Sequence, residues 1–377
     1  MHYVDHAATT PMRPSVWRSM EPFVAETFGN SSGSHTISRK AKNALEDARE
    51  RAAAVLGARP LEIVFTGGGT EADNLAVKGA ALAEGRRGGV VTTLIEHEAV
   101  LESAAFLESI GCPITRIAVD GFGIVDPDAI AGAVDADTAV VSVMAANNET
   151  GVIEPVADVV EAVRSVRPDV VVHTDAVQAF ASVDLDVGEL GVDLLAIAGH
   201  KFGGPKGVGL LYVKTGTPLE AVLHGGGQEL GRRSGTHNVM GAVGLATAME
   251  ETASDRASFR DRVADERDDF EARLAALHGD AAPTVGSVPR LVQHAHVRIP
   301  GVRNETLLVR LDGAGVAASA ASACQSGAAT VSHVLESMGY TPDEARECMR
   351  FSFGWTTEPG EGRLVADIVA AEVKALR

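Results

Sequence analysis

Two hydrophobic periods alternate over the first two thirds of the chain. Ala41, Ala44, Leu45, Ala48, Ala52 and Val55 recur three or four residues apart with charges between them, the spacing of a helix with one buried face. Short apolar runs of strand length lie at 62–66, 90–94, 139–144, 170–174, 194–198 and 208–213. Helical patterns beginning at Thr70 and spanning 100–109 and 156–166 separate several of them. Apolar strands joined by crossover helices predict an α/β fold with a mostly parallel sheet. After Asn238 the texture changes. An amphipathic stretch at 241–277, dense in Asp, Glu and Arg, reads as one long helix or two. It leads into a mixture of strands (296–299, 349–353) and helices (305–311, and a last one near 364–376). The change places a boundary near residue 255.

Composition narrows the function. The 377 residues are 45% apolar and 22% charged, an ordinary globular balance that excludes disorder and leaves room for two domains. A net charge of −18 disfavours a general nucleic-acid or anionic-membrane binder. No apolar run reaches the length of a membrane span. The first fourteen residues carry Asp5 and His6 rather than the apolar core of a signal peptide. Cys112, Cys324 and Cys348 form neither a disulfide framework nor a metal-ligand spacing. The chain therefore reads as cytoplasmic.

Candidate chemistry gathers at the ends of the predicted strands. Gly67-Gly68-Gly69-Thr70 follows a strand and opens a helix, where backbone N–H groups and the helix dipole can cradle a phosphate. The same stretch also reads as a tight turn, with Thr70 and Asp73 forming a capping box. Asp175 and Gln178 follow one strand and His200-Lys201 another. Parallel strands would bring them to one rim, where open sheets bind ligands. An anion cradle, a carboxylate and a lysine are the parts of a pyridoxal-phosphate site. His97 follows the run at 90–94 and could stack on a planar cofactor, shuttle protons or cap a helix. Asn147-Asn148-Glu149-Thr150-Gly151 follows the run at 139–144 and also reads as a plain turn. Cys324 sits among small and polar residues from Ser319 to Gly327, a setting that suits equally an exposed loop thiol acting as a nucleophile and a thiol with no chemical role. Cys112 and Cys348 read as packing residues. Alternation at 349–353 puts Met349, Phe351 and Phe353 on one face and Arg350 with Ser352 on the other. Arg350 could there grip a carboxylate or stand as an exposed strand charge.

Together these motifs resemble the cysteine desulfurases of the iron–sulfur-cluster and nitrogen-fixation type. The likeness spans nearly the whole chain, through Tyr3 to Pro11, Phe28-Gly29-Asn30, Thr66 to Leu75, Glu96-His97, Asn147 to Gly151, Asp175 to Gln178, Gly199 to Gly209, His224 to Thr236, Ser322-Ala323-Cys324 and Arg350 to Gly354. The resemblance implies the fold type I of pyridoxal-phosphate enzymes, like aspartate aminotransferase. A large domain would span 15–255, and a smaller α+β domain, built from 1–14 with 256–377, would carry the cysteine loop. It implies a homodimer without a resident metal, Cys324 being at most a transient ligand for a partner's cluster.

The resemblance also implies residue roles. Lys201 would carry the pyridoxal 5'-phosphate, Asp175 would pair with its ring nitrogen, Gln178 with its ring hydroxyl, and His97 would stack on the ring and move protons. Gly69, Thr70 and His200 would hold the phosphate, with Thr236 reaching the phosphate of the partner subunit's cofactor. Asn148 would contact the cofactor and, with Arg350, position L-cysteine, and Cys324 would take its sulfur as a persulfide, leaving L-alanine. Acceptors of that sulfur would be scaffold or thiolation proteins serving iron–sulfur clusters, thio-tRNA or DNA phosphorothioation. Two departures stand out. Ala198 occupies a position where the family often has a phosphate-binding serine, and the chain ends soon after Leu376, without the extension some relatives use to dock a scaffold. Other enzymes of the fold (aminotransferases, selenocysteine lyases, epimerases) share the cradle and the lysine but need no loop thiol. A non-catalytic platform would need none of the set.

Overall fold

The computed structural model of the chain describes residues 1–320 and 331–377. Its strands, in chain order, begin with β1 (His2–Tyr3). β2 (Ile63–Thr66), β3 (Gly89–Thr93), β4 (Ile114–Ile117), β5 (Thr138–Ser142), β6 (Val171–Asp175), β7 (Leu194–Ala198) and β8 (Gly209–Val213) follow. The last are β9 (Ala282–Pro283), β10 (His294–Arg298), β11 (Val316–Ala317) and β12 (Cys348–Ser352). Seven of them form the central sheet in the order β2-β8-β7-β6-β5-β3-β4. β3 to β7 run parallel, as the apolar runs predict. β8 runs opposite to β7 and β2. The link 199–208 is too short for the dozen or more residues of a parallel crossover, so the chain doubles back.

Every residue of β5, β6, β7 and β8 is buried. Leu195 and Ile197 face one apolar core and Leu194 and Ala196 the other, the alternation expected of a strand covered on both sides. Within the central sheet, β4 is the strand the sequence pattern missed; the two-residue β1, β9 and β11 outside it were missed as well. β4 lies at the sheet edge and is half-exposed, so Arg116 and Thr115 interrupt its apolar run.

The stretch after Asn238 is one helix, Val239–Leu277. Its apolar residues up to Met249 pack into the core of the large sheet. From Phe259 onward they pack into a second core, with β10, β12 and the helix Glu361–Leu376. β12 and β9 pair with β10 on either side, all antiparallel, and β1 pairs with β11. Met349, Phe351 and Phe353 face this second core as the alternation predicts. No helix among the described residues is long and apolar enough to cross a membrane.

Candidate active site

The sheet order reverses between β3 and β5, and the candidate residues lie beyond the carboxyl ends of β3, β5, β6 and β7. Asp175 is the last residue of β6. Lys201 closes a short 3-10 turn, Gly199–Lys201, directly after β7. His97 caps the helix Glu98–Ser109, its Nδ1 accepting from the Ala99 N–H at 3.1 Å. Asn148 belongs to a turn in which Asn147 Oδ1 accepts from the N–H groups of Glu149 and Thr150. For His97 and the Asn147–Gly151 stretch, the local role and a place at the site therefore coexist.

The N-terminal segment, given no role from its residue types alone, threads through this rim. Lys201 Nζ donates to the Ala7 carbonyl at 2.6 Å and to Ala8 at 3.0 Å. Gln178 Nε2 donates to Ala7 at 2.9 Å, and His200 Nδ1 lies 3.1 Å from Thr9 Oγ1. Arg350 is buried rather than an exposed strand charge. Its Nη1 donates to the Asn148 carbonyl at 2.7 Å and its Nη2 to Asp5 Oδ1 at 2.9 Å. Arg350 Nε has no hydrogen-bond partner among the described residues.

The cradle differs from the expected capping box. The helix Gly69–Leu82 has Gly68 as its cap, at a φ of 150° that glycine alone adopts freely, and no side chain bonds the cap. Asp73 turns inward instead. Glu71 reaches back past the cap, accepting from the Gly67 N–H at 2.9 Å and pairing with Arg233. Thr9, Gly67, Gly68, Gly69, Thr70 and His200 line one hollow together with Lys206. Lys201 and Gln178 line a neighbouring one.

Burial sets the charges. One carboxylate oxygen each of Asp73 and Asp175 and one ring nitrogen of His97 lie within 4.8 Å of one another. Burial raises the Asp175 carboxyl, while His97, the Val177 N–H and Lys201 pull it down. Burial pushes His200 down to about 4, with Lys201 and Lys206 adding to it, so its imidazole is neutral. Cys324 lies outside the described residues. The flanks of its segment do not. Ser319 exchanges two backbone hydrogen bonds with Arg350, at 3.1 and 2.8 Å. Ser332 Oγ donates to Glu149 Oε2 at 2.5 Å, and His333 Nε2 lies 3.0 Å from the Glu96 carbonyl. Both flanks thus abut Arg350, the residue after Asn148 and the residue before His97. Cys112 and Cys348 are buried, and burial pushes the Cys348 thiol up to about 12.

Comparisons agree with this geometry. Residues 2–361 match the family model described as aminotransferase class-V. A cysteine desulfurase IscS of Dictyoglomus turgidum is 40% identical over 376 residues, covering 100% of this chain and 95% of the relative. The chain belongs to the cysteine desulfurases of the class-V aminotransferase family. A solved NifS-like protein superposes with a TM-score of 0.93 at 35% identity, covering 99% of both chains. SspA, solved in complex with cysteine, gives 0.82 at 34% identity over 94% of this chain and 99% of its own. The α/β fold class and the likeness to fold type I enzymes hold.

Enzymes of this family work with pyridoxal phosphate, and the desulfurase site fits that group. Gly68 opens onto the cradle with nothing within 4 Å of a Cβ placed there. The Thr9 and Thr70 hydroxyls, the His200 imidazole and the Lys206 ammonium line that hollow, donors a phosphate takes, and the Glu71 carboxylate in the same lining is paired with Arg233. Lys201 lines the neighbouring hollow, and its charge acts on the buried Asp175 carboxylate. Thr236 is exposed in the stretch between β8 and the long helix, apart from the residues lining this hollow. Sequence reasoning gave Asp5 no role at the site and gave Asp73 only a place in a capping box. The polarity of Asp5 was visible in the sequence, whereas its place beside Arg350 depends on β1 and β12 meeting in space.

Proposed function

We propose that this chain takes sulfur from L-cysteine onto Cys324 with the help of pyridoxal phosphate, leaving L-alanine and a persulfide for transfer to an acceptor protein. The carrying observation is the convergence of Lys201, Asp175 and His97 beyond the carboxyl ends of the parallel strands, with Arg350 bonded to Asn148 there and the flanks of the Cys324 segment bonded to Arg350, Glu149 and Glu96.

When bound, the cofactor supplies an electron sink that lowers the barrier to breaking bonds at the substrate's α-carbon. Lys201 holds the cofactor and then moves the proton at that carbon. Asp175 keeps a negative charge where the ring nitrogen carries its proton. His97 covers the ring and passes protons. Gln178 donates toward the ring hydroxyl from its place beside Ala7. The Gly69 backbone, Thr70 and His200 hold the phosphate, His200 as a neutral donor. Asn148 and Arg350 orient the substrate carboxylate, Arg350 turning some of its donors from Asp5 and Asn148 to substrate. The Cys324 thiolate attacks the substrate sulfur. The carbon–sulfur bond breaks, a sulfur–sulfur bond forms, and the carbon takes up a proton to give alanine.

A second copy of the chain would bring its Thr236 to the cradle, beside the half-exposed Val222 and Leu223 that line it. The large acidic net charge favours acceptors recognised through a local surface rather than through a general field. The purified chain should be yellow, and borohydride should trap the cofactor on Lys201. A Lys201→Ala variant should lose both the trapped adduct and alanine formation from L-cysteine. Full alanine formation by that variant would sink the assignment of Lys201.

A further inference from the structure

Asp73 is the buried ionisable group the mechanism leaves unused. It sits in the first turns of the helix Gly69–Leu82, 1% exposed, with Oδ1 lacking a hydrogen-bond partner among the described residues. One of its oxygens is within 4.8 Å of a carboxylate oxygen of Asp175, itself 6% exposed. Two carboxylates so close and so dry cannot both be ionised, and the proton goes to the one with less support for its charge.

The surroundings decide which one. Asp175 faces His97 and Lys201, and its Oδ1 accepts from the Val177 N–H at 2.9 Å. Asp73 shares the His97 ring nitrogen within 4.8 Å but among the described residues has neither a lysine nor an N–H donor; it faces two acids, Asp175 and Glu96, and burial drives its carboxyl well above the usual range. His173 Nε2 lies 3.6 Å from Asp73 Oδ1. That ring gives no positive charge, because burial lowers it to about 3, and its Nδ1 lies 2.9 Å from Ser142 Oγ.

We propose that Asp73 is a proton-bearing positioning residue, a neutral acid behind Asp175 that leaves the single negative charge at the end of β6 on the carboxylate facing the cofactor's ring nitrogen. The proposal rests on the reading of Asp175 as the cofactor's carboxylate. Its first test does not need the cofactor. Infrared spectra of the full unloaded chain at pH 7, wild type minus Asp73→Asn, should contain the carbonyl stretch of a protonated carboxylic acid. Glu96 and Glu154, also raised by burial, cancel in that difference.

With pyridoxal phosphate added, Asp73→Asn, a neutral isostere, should keep the dissociation constant within about threefold, while Asp175→Asn should weaken it by more than about tenfold. Should the Asn variant not fold, carbon-13 NMR of aspartate-labelled wild type reads the same proton as a neutral aspartate signal at pH 7. Absence of the infrared band or of that signal, or a loss above about tenfold in Asp73→Asn, overturns the proposal. A chain that shows the band but takes up no cofactor counts against the functional reading instead.

Discussion

Ala198 ends β7 with its methyl group against the cradle, 3.3 Å from where a Cβ on Gly69 would sit. A serine there would direct a hydroxyl at the same space. Ala198→Ser should therefore slow loss of pyridoxal phosphate in dialysis by about tenfold, a charge-assisted hydrogen bond being worth up to ~3 kcal/mol. An unchanged loss rate would mean the cradle takes its donors elsewhere. At this scale legibility followed position. Asp175 and Lys201 were readable because residues at the end of an apolar run lie on the carboxyl rim of a parallel sheet. Asp73 was misread because Thr-Glu-Ala-Asp satisfies a capping pattern, and the pattern does not record which way the side chain turns. Arg350 was readable as the odd residue of its strand. Its burial was not, since that depends on Asp5, 345 residues away.

Among the elements, the stretch from β8 to the long helix shows how a loop is held without regular structure. Glu229 and Leu230 both adopt left-handed backbone, at φ of 50° and 57°, which costs a non-glycine residue about 1–3 kcal/mol each. Glu229 is held by Arg49 through two hydrogen bonds at 2.7 and 2.9 Å, by the Phe65 N–H, and by His237 at 3.1 Å. His237 lies in turn against Ser31. This arrangement keeps the Glu229 carboxyl down at about 2 against its burial. It leaves Leu230 70% exposed on the stretch that carries Thr236. Arg49→Met strands the buried carboxylate and should lower unfolding stability by about 3–5 kcal/mol in a urea titration. A loss below about 1 kcal/mol would show that the turn is held by something else. The sequence revealed the strands whose runs were wholly apolar and the long amphipathic helix. It concealed β4, which is half-exposed at an edge, and the Arg49–Glu229 pair, which couples a helix to a distant loop.

For the whole molecule, buried ionisable groups set opposing pH limits. Burial lowers His6 and His200 to about 4 and His173 and His296 to about 3, from an ordinary 6.5. Their stabilising effect is complete above pH 6.5 and is lost as pH falls toward 4, because the unfolded chain then binds more protons. Burial raises Glu96 and Glu154 from 4.5 to about 8. Their stabilisation is complete below pH 4.5 and is lost as pH rises through 8. Melting temperatures measured from pH 4 to 9 should therefore peak near pH 6.5, and Glu96→Gln should flatten the alkaline side. A melting temperature that climbs steadily to pH 9 would contradict these assignments. The −18 net charge was readable at once, but it gave no hint that neutral histidines and protonated acids would crowd the site. The central claim is that Cys324 receives the sulfur. It is tested most directly by treating wild type and Cys324→Ser with one equivalent of L-cysteine and weighing the intact proteins. The account predicts a gain of one sulfur on the wild-type chain together with alanine, and neither with Cys324→Ser, both proteins remaining yellow. Alanine formation by Cys324→Ser at the wild-type rate would contradict it.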